Sequence, residues 1–245
     1  MSDSNDTIDF MLGVTETKQP VELLMSTYRE IASHLVSYFM AGLGFLIAIL
    51  LLVVGVSIVS ALPLLPLLAI ENQPIAIACM VLSGAVAAIG LIVISVVKAP
   101  CYMASMLIGV TLHHREGIPL ALNTVWKHYP SNQRDVVLVY LGVQILTAIG
   151  VLFCVLPGLV LAFLTAYALP LVALYKMSPV EAIKSSISAV RAAPGWHLLF
   201  WLISGVSVML FAWVPVLGSL LGQVVLWRLL IGASENTFGP PRVST

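Results

Sequence analysis

The sequence predicts an all-α integral membrane fold of about six transmembrane helices, paired as three hairpins, with interfacial amphipathic helices on the cytoplasmic side. Three observations carry that prediction. Of 245 residues, 60% are hydrophobic and only 9% charged, against about 25% charged in soluble domains. Apolar runs long enough to cross a bilayer recur along the chain, separated by proline, glycine or polar clusters. The basic residues collect in alternate connecting segments.

Composition also excludes. Eleven basic residues balance eleven acidic ones and no basic block stands out, so nucleic-acid binding has no electrostatic footing. The first ten residues carry Asp3, Asp6 and Asp9 and no Lys or Arg. A signal peptide needs a basic n-region, so the first apolar segment is expected to stay as a span. Cys79, Cys101 and Cys154 lie in apolar runs, without the paired spacing of disulfide or zinc frameworks. Buried thiols are expected, with a Cys79–Cys154 disulfide left open.

Residues 1–19 are polar and acidic and read as a disordered tail. A single helical membrane domain follows over 20–231, and 232–245 reads as a flexible C-terminal tail. Pro20 opens a helix with Val21, Leu24, Met25, Tyr28, Ile31 and Leu35 on one face and Glu22, Ser26, Arg29, Glu30 and Ser33 opposite, suited to a membrane surface. Tyr38–Ser60 is the first span. Pro63 and Pro66 break the helix, and the chain turns at Glu71-Asn72-Gln73-Pro74. Ile75–Leu112 is apolar except for Lys98-Ala99-Pro100, and as one helix would reach roughly 57 Å, beyond a ~30 Å hydrocarbon core. The second span is therefore 75–97 or 89–112. Polar residues 113–135 contain a short amphipathic piece, Pro119–Tyr129. Val136–Leu156 spans, Pro157-Gly158 turns, and Leu159–Tyr175 returns.

Ser178-Pro179-Val180-Glu181 reads as a capping box with proline at the first helical position. Val180, Ile183, Ile187 and Val190 then form an apolar stripe, with Glu181, Lys184, Ser188 and Arg191 facing away. Trp196–Trp213 spans, Val214-Pro215 turns, and Leu217–Ile231 returns. Pro20, Pro119 and Pro179 each lie seventeen residues before a membrane entry, which reads as three copies of surface helix plus hairpin. By parity, residues 1–37, 113–135, 176–195 and 232–245 share a side, and their Lys and Arg make it cytoplasmic.

Val155-Leu156-Pro157-Gly158-Leu159-Val160, then Leu169-Pro170-Leu171-Val172, then Ser178-Pro179-Val180-Glu181-Ala182-Ile183-Lys184-Ser185-Ser186 resemble the YciC-like inner-membrane proteins. Those group with the membrane domain attached to some glycerophosphodiester phosphodiesterases. In that superfamily a Pro-Gly turn, a return helix and a Glu-Ala-x-x-x-Ser surface helix recur in this order. The resemblance covers about 135–200, and more loosely 88–130 through Ala99-Pro100 and Arg115-Glu116-Gly117. It implies a helical bundle of about six spans and a second span at 89–112. It brings no catalytic residue, and the hydrolase domain is absent.

Polar groups at membrane depth are the default site candidates. Lys98, Gln144, Gln223 and Arg228 are the residues of a candidate cavity or lipid site. His197 and Arg228 are placed near cytoplasmic ends, where they can snorkel. Gln144 and Gln223 suit interhelical contacts, as does the Gly218-x-x-x-Gly222 spacing. His113, His114 and His128 lack a fourth ligand at fixed spacing, so no metal or cofactor is expected. No nucleophile elbow, HExxH or phosphate loop occurs. The expectation is a non-enzymatic membrane protein that organises the membrane or docks a partner, in contact with lipids and with a second copy or another membrane protein. The alternative is a passive or accessory transport component lined by Lys98.

Overall fold

A computed structural model describes residues 18–64, 73–213 and 217–241, the side chains of 211–212 and 217–220 excepted. Most of the predicted N-terminal tail, the turns at 65–72 and 214–216, and residues 242–245 lie outside the described residues. So does the packing of Gly218.

Among the described residues the chain is helical throughout. The elements are α1 (Pro20–Ser33), α2 (Leu35–Ala61), α3 (Gln73–Val93), a π-helical turn (Ile94–Lys98), α4 (Ala99–Glu116) and α5 (Thr124–Lys127). They continue with α6 (Gln133–Phe153), α7 (Val155–Leu164), α8 (Ala168–Tyr175), α9 (Pro179–Ala192), α10 (Pro194–Ala212) and α11 (Leu217–Phe238). Four stretches of the described residues are long and apolar enough to cross a membrane: Leu35–Leu64, Gln73–Glu116, Gln133–Phe153 and Val155–Tyr175. Pro179–Ala192 and Pro194–Leu210, bent by 103° at their junction, are long and apolar enough only when taken together, as a broken span or a re-entrant loop. The chain is a helical membrane protein.

The second apolar region is one helix of 44 residues, Gln73–Glu116, roughly 66 Å long, and takes in both windows open in the sequence. Pro100 has no N–H to give the carbonyl of Val96. The chain absorbs the loss in the π-turn, where the Ala99 N–H reaches back five residues to the Ile94 carbonyl. Burial changes across that turn. No residue of α3 is buried, and α3 packs on α2. In α4, Cys101, Ala104, Met106, Leu107 and Val110 are all buried, enclosed by α5, α6, α8 and α11.

The predicted turn at Pro157-Gly158 falls three residues early. Cys154 alone is extended, at φ −176° and ψ 153°, and α7 starts at Val155. Pro157 then occupies the first turn of a helix, where a missing N–H has no intrahelical partner to lose. Gly158 serves packing instead: a Cβ there would lie 2.8 Å from the Val151 nitrogen, and one at Gly150 would lie 2.7 Å from the Gly158 Cα. The return helix is also not continuous. Pro170 cannot donate to residue 166 and its ring crowds that carbonyl, so the chain breaks between α7 and α8.

Ser186 of α9 bridges this break. Its hydroxyl accepts from the Tyr167 N–H at 3.2 Å and donates to the Leu164 carbonyl at 2.8 Å. Buried backbone groups need such partners. Ser186→Ala is expected to cost about 1–3 kcal/mol, the penalty for stranding them. Ser185→Ala, next to it, is expected within about 0.5 kcal/mol, as measured by thermal unfolding in detergent.

The α9 cap forms as expected, with the Ser178 hydroxyl accepting from the Glu181 N–H and the Glu181 carboxylate accepting from the Ser178 N–H. Its inner face is Ala182, Ser186, Ala189 and Val190. Val180 is exposed, and Ile183 and Ile187 are half-buried. The short piece predicted over 119–129 is helical only at α5. The predicted tail is also partly ordered: α11 continues to Phe238, with Ala233 and Ser234 fully buried. Cys79, Cys101 and Cys154 are free thiols.

A buried charge cluster at one end of the bundle

Arg228 organises the site. It lies on α11 at 5% exposure, so it does not snorkel to water as expected. Its partner is Glu30 of α1. Arg228 Nε donates to both Glu30 oxygens at 3.1 Å, and Nη2 donates to Oε2 at 2.7 Å. Paired, bidentate geometry is what lets an arginine stay buried. Tyr38 of α2, fully buried, donates its hydroxyl to Glu30 Oε1 at 2.7 Å. His114 of α4 places Nδ1 3.0 Å from Glu30 Oε2 and 2.9 Å from Arg228 Nη2. Four helices thus meet on one carboxylate.

On α1, Leu23, Thr27 and Ile31 are buried, while Val21 and Met25 of the predicted apolar face are exposed. Glu30, read as outward, points into the bundle. Gly232 permits the approach, because a Cβ there would lie 2.8 Å from Leu23 Cδ1. Leu24 and Tyr28 line a groove of about 540 Å³ with Leu202, Ile203, Val206 and Leu210 of α10.

Burial alone would raise the Glu30 carboxyl, but donors from His114, Arg228 and Tyr38 outweigh it and hold it well below the usual carboxylate range. The linkage has a definite sign. A depressed folded-state carboxyl contributes stability above its ordinary value near 4.5 and loses it progressively as the pH falls from there toward the lowered folded-state value. Melting temperature is therefore expected to fall on acidification below about pH 4.5. In Glu30→Gln that acid limb should flatten, as followed by scanning fluorimetry.

Other contacts gather the same ends. The Trp196 indole donates to the Lys18 carbonyl at 3.0 Å, and the Lys18 N–H donates to Asn236 Oδ1 at 2.9 Å. Tyr175 donates to the Gly239 carbonyl, and Arg115 to that of Pro241. The segment before α1, the ends of α4 and α8, the start of α10 and the end of α11 therefore meet.

The structure does not assemble the other predicted candidates around Arg228. Lys98 ends the π-turn, half-buried, with Nζ 5.9 Å above the Tyr129 ring, sixteen residues or roughly 24 Å of helix from His114. Gln144 and Gln223 are exposed. His197 is buried rather than snorkelling, its Nδ1 2.8 Å from the Tyr167 hydroxyl. His113 Nδ1 meets the Ile118 carbonyl at 2.9 Å. Burial pushes His128 down, and Lys127 adds to that. Among the described residues no group of three ligating side chains is placed to hold a metal.

Comparison with known proteins adds relatives without activities. No family model matches the chain, and no solved structure does. An uncharacterised protein of Mycobacterium bovis is 30% identical over 121 residues, 49% of this chain and 37% of that protein. Uncharacterised proteins from two Mycobacterium tuberculosis strains match at 30% and 29% over the same length. The chain thus aligns with 37% of the length of these relatives.

Glu30 and Tyr38 are the site residues that sequence reading missed. The signal was available. An arginine in an otherwise apolar helix needs a counter-charge, and Glu30 is an acid eight residues before Tyr38, where the first apolar span begins.

Proposed function

We propose that the chain is a non-enzymatic, multi-pass protein of the inner membrane, with six spans and both termini cytoplasmic, that organises the cytoplasmic leaflet or docks a partner there. One observation carries this reading: the charged side chains of α1, α4 and α11 pair with one another at one end of the bundle. The α3 surface and the junction of α6 and α7 are apolar and exposed, as lipid contact requires. The YciC-like resemblance agrees with an inner-membrane location. The outward Lys184 and Arg191 of α9 supply a basic face suited to anionic headgroups or an acidic partner.

Two measurements test it. In a cysteine-free background, Glu71→Cys should be labelled only from the outer side, and labelling from the cytoplasm alone refutes the topology. Reconstituted in vesicles, the chain should leave release of trapped small solutes at the protein-free rate. The π-turn at Lys98 favours the second reading, a passive or accessory transport role, since such turns often mark functional positions. A spin label at position 98 separates the two. Headgroup depth supports the leaflet role, and bilayer depth beside water supports transport.

A further inference from the structure

We propose that the cavity between α1 and α11 binds a zwitterion of the phosphoethanolamine type, carried on a lipid or free. The cavity holds about 260 Å³, and Lys18, Glu30, His114, Arg228, Glu235 and Asn236 line it. It lies on the flank of α1 away from the Leu24–Tyr28 groove.

The wall is incomplete in a specific way. Arg228 Nη1 is buried and has no hydrogen-bond partner, although Nε and Nη2 of the same guanidinium are used on Glu30. Glu235 Oε1 is likewise buried without a hydrogen bond, its nearest cation being the Arg115 Nε at 4.0 Å. Buried polar atoms are almost always paired, and an orphan arginine N–H is among the costliest to leave. Gly232 lets Leu23 close in beside Nη1, since a Cβ there would stand 2.8 Å from Leu23 Cδ1 and 3.3 Å from that nitrogen.

One orphan is a donor and the other an acceptor, which selects the occupant. A bare anion would satisfy Arg228 and Lys18 but would be repelled by Glu235. A bare amine would satisfy Glu235 and leave Arg228 unpaired. Among the residues lining the cavity Lys18 and Arg228 balance Glu30 and Glu235 in charge, so a molecule that carries both signs fits the field as well as the hydrogen bonds. Its phosphate accepts from Arg228 Nη1 and Lys18, and its ammonium donates to Glu235. The Lys18 backbone, tied to both Asn236 and Trp196, holds that lysine at the rim.

The lipid source rests on the membrane role proposed above, whereas the site itself does not. The full chain, purified in detergent and stripped of phospholipid, is titrated calorimetrically with O-phosphoethanolamine, inorganic phosphate, ethanolamine and dihexanoyl phosphatidylethanolamine. Saturable binding of phosphoethanolamine or its short-chain lipid is expected, at least about tenfold tighter than phosphate or ethanolamine alone. Lys18→Ala and Glu235→Gln should each weaken it about tenfold, the effect of one charge-assisted hydrogen bond, while melting like the wild type. Binding of the lipid alone assigns the headgroup as source, and binding of the free compound assigns a soluble one. No saturable binding, equal binding of phosphate, or full affinity in both variants overturns the proposal. Because the assay contains no bilayer, it can fail while the Glu71 labelling succeeds, and the reverse.

Discussion

Glu30→Gln is expected to destabilise the bundle by about 3 kcal/mol or more, the usual penalty for stranding one member of a buried ion pair. The asymmetry of the pair sets the size. Arg228 side-chain exposure is 6% and that of Glu30 is 19%, so the arginine has less water to fall back on. Arg228→Met should cost less, because Tyr38 and His114 still satisfy the carboxylate left behind. The double variant should recover most of the loss, since a buried pair replaced by neutral groups of similar volume is often nearly neutral. Denaturant unfolding in detergent of all four proteins closes the cycle. Strictly additive losses would show that Glu30 and Arg228 do not hold α1 to α11 as a pair.

Gly44→Ala, which adds one methyl group, is expected to be strongly destabilising. A Cβ at Gly44 of α2 would stand 2.1 Å from the Leu122 carbonyl oxygen and 2.8 Å from its carbon. Both are backbone atoms, so no side-chain rotation relieves the clash, and the segment leading into α5 must move. Overpacking of this kind costs about 1–3 kcal/mol and sometimes more, and the upper end applies here. Gly55, eleven residues along the same helix, has nothing within 4 Å of the same position. Gly55→Ala should therefore stabilise by up to about 1 kcal/mol through helix propensity. Opposite shifts in melting temperature are expected, and equal shifts would mean that α2 and Leu122 are not in contact.

The helical class and most helix ends were legible because hydropathy and proline act locally. Pro20, Ser178 and Pro179 stand where the sequence put them, since a cap needs only its own first turn. What escaped was which way each helix faces. For α1 the apolar stripe through Val21 and Met25 reads as a face for the membrane surface and is exposed, but nothing local says that Glu30 on the opposite face packs into the bundle. The direction of Glu30 was settled by Arg228, almost two hundred residues away. The break between α7 and α8 was half visible, since Pro170 announces it. That Ser186 would close it was not, because the contact joins two helices. The serine of the Glu-Ala-x-x-x-Ser pattern thereby gains a structural role.

The π-turn at Ile94–Lys98 gives the long helix two independent phases. Such a turn holds one residue more than the α-helical path needs, and one residue rotates everything beyond it by roughly 100°. The exposed length of α3 and the enclosed length of α4 therefore answer to separate angular constraints, although they share one rod. The apolar arm can thus turn one face outward while Cys101, Met106 and Val110 keep another against their neighbours. Deleting one residue within 94–98 would remove this freedom, and the two halves would then have to agree on a single orientation.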